Sequence, residues 1–530
     1  MELPVWTDYG FVNGTLTVAL LVGFFLLALN AARQRCFAAF KGTGIPGPPV
    51  RSHFYGNTRE YYGMTTVAFL SKWHKQYGDV FGFFMGDAPF VAVKDLDLIR
   101  AIFIKDSQKF SERGTLMRLL QDHPLLEQNL IFAGASKWKS TRSCLTSAFS
   151  VAKMKTMMPA IHHAVDCFLN ILDGYAERGQ ELDISAVSAQ LTFDVIGKTA
   201  FGIDTKVQDS MDNPLYRAAI DAHPYLMSGA IYNLAQCFTQ WPWLLRLLLP
   251  VIRLVTVNPL EALVHKVQGV VEFRRANPLI KKVDLLQNLL EAVLPSGGES
   301  EVEQNGSSPA VPSLIKVQKH MAADEVASNS SLIFLAGYDT TRLTLSYWAF
   351  LMGKHPDVQE KMRTEVMQAA QNGPLAYEDI TGLVYTQQVL NETMRLHPAV
   401  VAFTTRRALE DYAYGDMVIR KGTSVLASTY QIHHDPMLWP EPDKFDPERF
   451  SPENKASIPA NAFVPFGVGP KHCLGQRLAL LELAFITAML LRRFRITLGP
   501  SQKPDMEYVT YAMLAAPKNG VWIKLQKLEA

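Results

Sequence analysis

Residues 465–475 read PFGVGPKHCLG, and residues 476–484 continue as QRLALLELA. The first stretch is punctuated by glycine and proline and the second is rich in helix formers, so Cys473 is predicted to lie at the entrance of a helix. Unpaired N–H groups and the dipole at a helix N-terminus lower the pKa of a nearby thiol. The pattern therefore predicts a thiolate at neutral pH, which is a good metal ligand. We expect Gly469 and Gly475 to adopt positive φ and to let a flat cofactor approach the loop.

This loop resembles the haem-binding signature Phe-x-x-Gly-x-Arg-x-Cys-x-Gly of the cytochrome P-450 family, the haem-thiolate monooxygenases. Four positions match the signature: Phe466, Gly469, Cys473 and Gly475. The resemblance implies haem b as the cofactor and Cys473 as the axial ligand of its iron. Lys471 replaces the usual arginine, and because lysine cannot make a bidentate contact, its salt bridge to a haem propionate is expected to be weaker. The alternative is a buried, inert cysteine.

Composition narrows the class of protein. The chain has 530 residues, of which 48% are hydrophobic and 19% are charged, and this suits one large α-rich enzyme as well as several domains. The formal net charge of only +2 argues against broad nucleic-acid binding. The five cysteines are scattered and never spaced C-x-x-C, which predicts neither a disulfide framework nor a zinc site and indicates a reducing compartment.

The N-terminal region predicts a membrane anchor. No charged residue occurs between Asp8 and Arg33. As a helix, residues 9–32 would span about 36 Å, enough for a hydrocarbon core of about 30 Å. A cleaved signal peptide is the alternative, but the basic residues follow the apolar run, which also predicts that the remaining protein faces the cytosol. Residues 33–49 are then a basic, proline-rich hinge, and residues 50–530 form the catalytic domain.

The remaining pattern predicts a mainly α protein with small β-sheets. Residues 80–85 and 90–93, with Gly86 and Asp87 after the first run, predict a β-hairpin with a tight turn, and a helical stretch follows at residues 96–104. Residues 150–201 are helical in pattern, with a break at Gly179.

Two further stretches have a distinctive composition. Residues 241–252, WPWLLRLLLPVI, are too short and too interrupted by proline to span a bilayer. Their tryptophans and arginine suit a membrane interface, with an ordinary core helix pair as the alternative. Residues 297–313 are rich in Gly, Ser, Glu and Pro and predict a loop or disordered segment.

Trp138 and Arg142 are spaced W-x-x-x-R in a segment with helical character, which places both side chains on one helix face. In the family that the cysteine loop resembles, the matching pair hydrogen-bonds a haem propionate. The alternative is a cation–π pair on a surface helix.

Residues 322–354 read as one long helix that ends at a His-Pro pair, and AGYDTT stands in its middle at 336–341. Glycine and paired threonines are poor residues for a helix interior, so their presence asks for a functional reason. We expect Gly337 to leave room for a ligand, and the hydroxyl and acid to interrupt the helix and hold water. The segment resembles the oxygen-activation motif of the same family, which implies that Thr340 stabilises activated oxygen and that Asp339 helps to deliver protons. The alternative is a solvent-facing pair.

Glu392 and Arg395 form an E-x-x-R pair on one helix face, and Arg449 follows in the segment FDPERF. The resemblance implies that the second arginine joins this pair in a buried network that supports the cysteine loop. An exposed pair of the same spacing would contribute only a few tenths of a kcal/mol.

The resemblance also predicts the cavity wall and a docking surface. The wall is expected from 334–336, 400–403 and 512–514. Basic residues that flank the haem motifs are candidates for docking an acidic reductase, with ordinary surface charge as the alternative: Lys137, Lys139, Lys471 and Arg477.

The motifs follow the order of the family along essentially the whole chain, and local phrases resemble the branch of animal drug-oxidising enzymes and thromboxane synthase. Thromboxane synthase rearranges an endoperoxide and lacks the acid-threonine pair, which is intact here at Asp339 and Thr340. The sequence therefore favours a monooxygenase that takes electrons from an NADPH-dependent flavoprotein reductase and inserts one atom of O2 into a lipophilic molecule. It predicts a single-pass protein of the endoplasmic reticulum membrane. The alternatives are an isomerase or dehydratase acting on a lipid peroxide without a reductase, and a haem sensor or carrier.

Overall fold

The computed structural model is mainly helical with small β-sheets, which confirms the predicted fold class. It describes residues 7–61, 63–115, 126–225, 230–241, 243, 246–247, 250, 259–280, 282, 284–291, 321, 323–511 and 513–528. Four predictions fall wholly or partly outside these ranges: the loop at 297–313, the first helical residue Ala322, the wall residue Ala512 and much of the apolar stretch at 241–252.

The helices, numbered in chain order, are α1 Thr7–Cys36, α2 Thr58–Tyr61, α3 Thr66–Tyr77, α4 Leu96–Arg100, α5 Ala135–Ala148, α6 Val151–Glu177, α7 Ile184–Phe201, α8 Pro214–Tyr225, α9 Ala230–Gln236, α10 Pro259–Ala276, α11 Leu285–Glu291, α12 Ala323–Lys354, α13 Pro356–Ala369, α14 Tyr377–Thr381, α15 Val384–Leu396, α16 Thr429–His433 and α17 Gln476–Arg493.

The strands are β1 Val80–Met85, β2 Ala88–Val93, β3 Leu182–Asp183, β4 Thr405–Arg407, β5 Tyr412–Tyr414, β6 Met417–Ile419, β7 Ser424–Ala427, β8 Phe494–Leu498, β9 Tyr508–Tyr511, β10 Leu514–Pro517 and β11 Trp522–Lys527. Within the described residues they form sheets in the orders β1-β2-β7-β4, β3-β11-β8, β5-β6 and β9-β10.

β1 and β2 form the predicted hairpin, with Val80 opposite Val93 and Met85 opposite Ala88. Its turn requires glycine, because Gly86 has a φ of 64° and a Cβ there would lie 2.0 Å from the carbonyl oxygen of Gln236. β2 also pairs in parallel with β7, so this sheet joins the N-terminal and C-terminal parts of the chain.

The predicted helix at 96–104 starts where expected but changes type. α4 ends at Arg100, and Ala101–Lys105 form a π-helical turn. Apolar periodicity does not distinguish one wide turn from an α-helix, so the pattern missed this change. The break predicted at Gly179 is confirmed, since this residue has a φ of 60° and lies between α6 and α7.

The long central helix is confirmed as α12, which has 32 residues and ends just before His355. It spans about 48 Å. It runs through the largest cluster of buried apolar side chains, where Trp348 is fully buried. The hydroxyl of Thr192 on α7 donates to the carbonyl of Tyr338 on α12 at 2.9 Å, so the two helices pack closely in the middle of α12. This packing fixes the position of the AGYDTT segment.

α1 is a continuous helix of 30 residues. Its apolar side chains are largely exposed, for example Leu20 at 65%, Phe24 at 73% and Leu27 at 70%. None of the helices in the part of the chain that the structure describes has the length and apolarity of a membrane span. The anchor at 9–32 stays a prediction.

The predicted hinge has neither helix nor strand at residues 45–50. It is packed along β1, because the N–H of Gly82 donates to the carbonyl of Pro46 at 2.7 Å. A Cβ on Gly47 would lie 1.9 Å from the carbonyl oxygen of Gly82, so glycine is what allows this close approach.

Candidate active site

A cavity of about 340 Å³ with a mostly apolar wall is lined by α5, α12, α17 and the cysteine loop. This size is typical of a pocket for a small molecule or cofactor. The structure brings eight of the predicted site residues to its wall: Trp138, Arg142, Gly337, Thr340, Phe466, Lys471, Cys473 and Gly475. The predicted site residues Gly469 and Asp339 are not part of the wall.

The cysteine loop is held by its own backbone. The N–H of Cys473 donates to the carbonyl of Phe466 at 2.8 Å, and the N–H of His472 donates to the carbonyl of Gly469 at 3.1 Å. α17 begins at Gln476 with Gly475 as its N-cap. Cys473 therefore lies just before a helix N-terminus, as predicted, and its side chain is open to the cavity.

The two glycines of the signature, Gly469 and Gly475, differ in backbone conformation and in the contacts around them. Gly469 has the expected positive φ, 72°, but a Cβ there would lie 1.9 Å from the carbonyl oxygen of Phe103. It therefore allows the loop to pack on the π-helical turn rather than to approach a cofactor. Gly475 has a φ of −84°, so the expectation of a positive φ there was wrong.

The pKa of the Cys473 thiol is raised, not lowered. Burial raises its pKa above the ordinary value, while the N–H groups of Gly475 and Gln476 and the nearby Arg142 lower it, and the net shift is upward. The predicted thiolate at neutral pH is therefore wrong for the protein alone, because burial outweighs the helix N-terminus. Metal binding releases the proton of a ligating thiol, so a bound iron would supply the missing driving force.

Trp138 and Arg142 lie on α5 as predicted. Arg142 Nη1 donates to the carbonyl of His472 at 2.9 Å, which ties α5 to the cysteine loop. The cation over the Trp138 ring is Lys471, whose Nζ lies 4.8 Å from the ring centre. Because both predicted side chains line the cavity, they do not form an isolated pair on a surface helix.

Two further arginines that the sequence analysis missed complete a basic cluster. Burial and, to a smaller extent, repulsion by Arg113 and Arg406 together lower the pKa of Lys471 to about 7. Burial likewise lowers the pKa of Arg406 to about 9 and that of Arg113 to about 10. Arg113 and Arg406 stand in no recognisable spacing with the cysteine loop, so no sequence signal indicated them.

This cluster fits the two propionates of a haem. Lys471 Nζ and Arg113 Nε are buried and have no hydrogen-bond partner among the residues that the structure describes. Among the described residues that line the cavity, Glu482 is the only carboxylate. Buried cations without counter-charges are unfavourable, and carboxylates are their best partners. Together with the thiol of Cys473, the cluster supplies an axial ligand and an anion-binding edge for a flat cofactor.

α12 passes Thr340 along the cavity without a break. The hydroxyl of Thr340 donates to the carbonyl of Ala336 at 2.8 Å, and that of Thr341 donates to the carbonyl of Gly337 at 3.0 Å. The predicted interruption of the helix was therefore wrong, because each hydroxyl bonds back one turn within an intact helix. Thr340 nevertheless places a hydroxyl in the cavity wall.

Asp339 faces away from the cavity wall. It is buried to 1% exposure and pairs with Arg342 on its own helix. Arg342 also donates to the hydroxyl of Ser185 on α7 at 3.0 Å. The alternative, a solvent-facing position, is wrong for Asp339, because this ion pair turns the buried carboxylate toward α7. The predicted role of Asp339 in proton delivery stays a prediction.

Gly337 lines the cavity, but its missing side chain serves helix packing. A Cβ there would lie 2.6 Å from Cδ1 of Ile196 on α7. The room that Gly337 provides is thus for a neighbouring helix, which corrects the expectation that it is for a ligand.

The predicted network of Glu392, Arg395 and Arg449 is present. The carboxylate of Glu392 accepts from Arg395 Nε at 2.7 Å and from its Nη2 at 2.8 Å, and both side chains are fully buried. Arg449 Nε lies 3.4 Å from the same carboxylate. Burial raises the pKa of Glu392, and its hydrogen bonds to Arg395 oppose that shift.

His433 connects this network to the cysteine loop. Arg395 Nη1 donates to the carbonyl of His433 at 2.8 Å, and His433 Nε2 accepts from the N–H of Val464 at 2.9 Å. Val464 directly precedes the cysteine loop. The contact accounts for the supporting role that was predicted for the network.

The predicted cavity wall is partly right. Of the predicted stretches, the structure brings these residues to the wall: Leu335, Ala336, Val400, Phe403, Met513 and Leu514. Phe334, Val401 and Ala402 do not line it, since Phe334 stacks on Phe201 of α7 and the other two are buried in a separate cluster. Neighbouring residues on one segment face different sides. The position of a segment in the family does not tell which of its residues face the cavity.

Two members of the predicted docking surface make contacts within the protein, and the surface itself stays a prediction. Lys137 pairs with Glu325 of α12 at 2.7 Å, and the ammonium of Lys471 is buried. Lys139 and Arg477 are exposed. Glu482, which the sequence analysis missed, is 4% exposed, and no described residue is a hydrogen-bond partner of its Oε1. Burial raises the pKa of Glu482 to about 8.

Known proteins are similar to this chain over most of its length. The family model described as Cytochrome P450 matches residues 46–524. Similar proteins include "Probable cytochrome P450 6a19" of Drosophila melanogaster, 29% identical over 96% of this chain and 99% of that protein. "Cytochrome P450 3A28" of Bos taurus is 28% identical over 92% of each chain, and "Thromboxane-A synthase" of Sus scrofa is 30% identical over 97% and 98%. These matches confirm the resemblance and haem b as the cofactor, and the chain belongs to the cytochrome P450 family of haem-thiolate monooxygenases.

Proposed function

We propose that this enzyme inserts one oxygen atom of O2 into a lipophilic small molecule, with electrons from an NADPH-dependent flavoprotein reductase. The observation that carries the proposal is that the thiol of Cys473 and the hydroxyl of Thr340, from separate elements, line one apolar cavity. A haem bound by a cysteine thiolate supplies the chemistry of O–O cleavage.

In this proposal each residue has a distinct task. Cys473 would give up its proton and ligate the haem iron, and five side chains would hold the propionates: Trp138, Arg142, Lys471, Arg113 and Arg406. Thr340 would hold a proton at its hydroxyl oxygen in the cavity wall. The apolar wall excludes water and orients a lipophilic substrate.

Asp339 acts on protons indirectly. Its carboxylate is paired with Arg342 rather than open to the cavity. We propose that a proton reaches the Thr340 hydroxyl after this pair opens, so Arg342 positions Asp339 between a closed and a delivering arrangement.

A second candidate is the rearrangement of a lipid peroxide without reductase. Two observations favour it: the paired Asp339 faces away from the cavity, and one relative is named thromboxane-A synthase. Such a reaction needs no delivered proton and no external O2, so it is indifferent to the Thr340 hydroxyl.

The test compares Thr340→Ala with Ser346→Ala. Ser346 is a matched control, because its hydroxyl makes the same backward bond on α12, to the carbonyl of Arg342 at 2.7 Å, but does not line the cavity. With reductase and NADPH, Thr340→Ala is expected to lower the ratio of product to NADPH consumed by roughly tenfold or more, and Ser346→Ala to leave it unchanged. Turnover of a lipid hydroperoxide without reductase, at equal rates in both variants, would establish the second candidate instead.

We further propose that residues 9–32 anchor the protein in the endoplasmic reticulum membrane, that 33–49 form the hinge and that 50–530 form the cytosolic catalytic domain. The uncharged sequence of 9–32 and the exposed apolar side chains of α1 support this. Membrane pellets washed with alkaline carbonate should retain the full chain and release a variant that begins at residue 33. Release of both would contradict the anchor.

We place the reductase contact at Lys139 and Arg477, which are exposed on α5 and α17. Reversing both charges should slow reduction most at low salt, since exposed charges are screened as salt rises. Lys72→Glu, an exposed change on α3, is the control. An unchanged rate and salt dependence in the double variant would contradict this contact.

A further inference from the structure

Five aromatic rings, three of them oxidisable phenols, form a continuous series, which we name the aromatic chain: Tyr347, His397, Tyr508, Tyr430 and His434. Ring centres are 5.0 Å apart for Tyr347 and His397, and 6.0 Å apart for His397 and Tyr508. They are 6.0 Å apart for Tyr508 and Tyr430 and 3.9 Å apart for Tyr430 and His434, which stack at 13°. Each ring thus lies within contact distance of the next.

The inner end of the aromatic chain lies next to the cavity. Tyr347 is seven residues after Thr340 on α12, so it lies on nearly the same helix face and about 10.5 Å further along. It packs in one buried cluster with Ala399 and Leu514, and both of these line the cavity. A single layer of side chains therefore separates the cavity from the first ring.

The outer end leads away from the cavity. Tyr347 and His397 are buried, whereas Tyr508, Tyr430 and His434 are each half-buried. The series therefore runs from the cavity wall toward the surface.

One member of the aromatic chain has a proton acceptor. The hydroxyl of Tyr508 and Nδ1 of His397 are 2.6 Å apart. Burial lowers the pKa of His397 to about 3, so its ring is neutral and Nδ1 is free to accept. By contrast, the hydroxyl of Tyr347 donates to the backbone carbonyl of Ala515 at 2.7 Å, and a carbonyl does not take up a proton readily.

We propose that the aromatic chain carries an oxidising equivalent away from the haem when no substrate consumes it. One electron passes from Tyr508 to the haem oxidised by a peroxide, and the hydroxyl proton of Tyr508 passes to Nδ1 of His397. The products are a neutral phenoxyl radical and an imidazolium. Tyr430 then reduces this radical, so Tyr508 regains an electron from Tyr430 and its proton from His397. Tyr430 releases its own hydroxyl proton to solvent and becomes a phenoxyl radical. An external thiol supplies one electron and one proton to Tyr430 and becomes a thiyl radical, which restores the starting state.

The proposal depends on haem but not on which reaction the enzyme performs. Loss of an electron makes a phenol a far stronger acid, so the transfer proceeds even to a weakly basic imidazole. The function is protective, because an oxidising equivalent that stays in the cavity attacks the haem and its surroundings.

The experiment treats the full-length, haem-loaded ferric protein with cumene hydroperoxide without substrate and freezes it within milliseconds for electron paramagnetic resonance. The variants are Tyr508→Phe, which removes only the hydroxyl, and Tyr412→Phe as a matched control. Tyr412 is also half-buried and hydrogen-bonded, to Asp106 at 2.9 Å, but it lies in a different cluster. Haem content and the carbon monoxide spectrum are recorded for each variant, so a defect in the haem site is recognised separately.

We expect a tyrosyl signal in the wild type that is mostly lost in Tyr508→Phe and retained in Tyr412→Phe, with faster bleaching of the haem in Tyr508→Phe. His397→Gln should retain haem and alter the shape of the signal, because the hydrogen bond to the radical changes. No tyrosyl signal in the wild type, or equal signals and bleaching rates in wild type and Tyr508→Phe, would overturn the proposal.

Discussion

Lys471 Nζ lies 4.8 Å above the centre of the Trp138 ring, and it is buried without a hydrogen-bond partner in the described part of the chain. The indole holds the ammonium on its face by a cation–π contact. Lysine at this position therefore points into the cavity rather than to the protein surface. Its ammonium, a compact point charge, would bind one propionate oxygen of a haem.

Replacing Lys471 tests this arrangement. Lys471→Met should accelerate haem loss roughly tenfold or more, because a hydrogen bond to a charged group contributes about 1.5–3 kcal/mol. Lys471→Arg should retain haem at least as well as the wild type. The measurement is the ratio of haem to protein after gel filtration, with the exposed Lys105→Met as control. Equal retention in Lys471→Met and wild type would show that Lys471 does not hold the cofactor.

The buried network predicts a strong effect at a distance from the cavity. Glu392→Ala leaves two arginines without their carboxylate, and Arg395→Ala leaves the carboxylate without its main partner, each at a cost of about 3–5 kcal/mol. Because Arg395 supports His433 and hence Val464, both variants should yield protein without stably bound haem. Arg420→Ala, in an exposed pair with Asp411, should leave haem content unchanged. Normal haem content in Glu392→Ala would refute the role of the network.

The pair of Asp339 and Arg342 is open to a double-mutant test. Arg342→Met removes the cation from a buried carboxylate and should lower the free energy of unfolding by about 3–5 kcal/mol. Adding Asp339→Asn should recover a large part of that loss, since the amide carries no charge. The measurement is urea unfolding followed by circular dichroism. Additive losses in the double variant would mean that the two side chains are not coupled.

Glu482 gives the stability a defined pH dependence. Its pKa is raised from 4.5 to about 8 in the folded protein, so between these values the unfolded chain releases a proton that the folded chain keeps. Stability from this group is therefore full below pH 4.5 and falls as pH rises toward 8. Glu482→Gln removes that fall, so it should gain about 2 kcal/mol over wild type between pH 5.5 and 7.5. The exposed Glu378→Gln is the control, and a pH-independent difference between Glu482→Gln and wild type would contradict the assignment.

The sequence was sufficient where the determining contacts are local. Cys473 and its helix entrance follow from a short loop, and α12 follows from its length and its terminal proline. The network of Glu392, Arg395 and Arg449 was recognisable because its spacing is regular and its segments match a known family.

The sequence was insufficient where the orientation of a side chain, or the need for glycine, depends on a segment that is distant in the chain. Asp339 turns from the cavity because Arg342 and Ser185 of α7 hold that side of α12. Gly337 and Gly469 are required by Ile196 and by the carbonyl of Phe103, which the motif spacing does not reveal.

The same limit applies to charge. The thiol of Cys473 is raised in pKa by burial, and burial depends on the whole fold rather than on the loop sequence. Arg113 and Arg406 are distant from Lys471 in the sequence and approach it only in the folded protein. The sequence therefore predicted Lys471 as a member of the basic cluster but not the two arginines.

Ligation of the haem iron by Cys473 is tested most directly by absorbance difference spectra of the dithionite-reduced protein with and without carbon monoxide. The spectra are compared between wild type and Cys473→Ser. If Cys473 is the ligand, the wild type has a strongly red-shifted Soret band. The variant loses this band, because serine does not replace the thiolate as axial ligand. A band at the position typical of histidine-ligated haem in the wild type, or a red-shifted band that persists in Cys473→Ser, would contradict the claim that Cys473 ligates the iron.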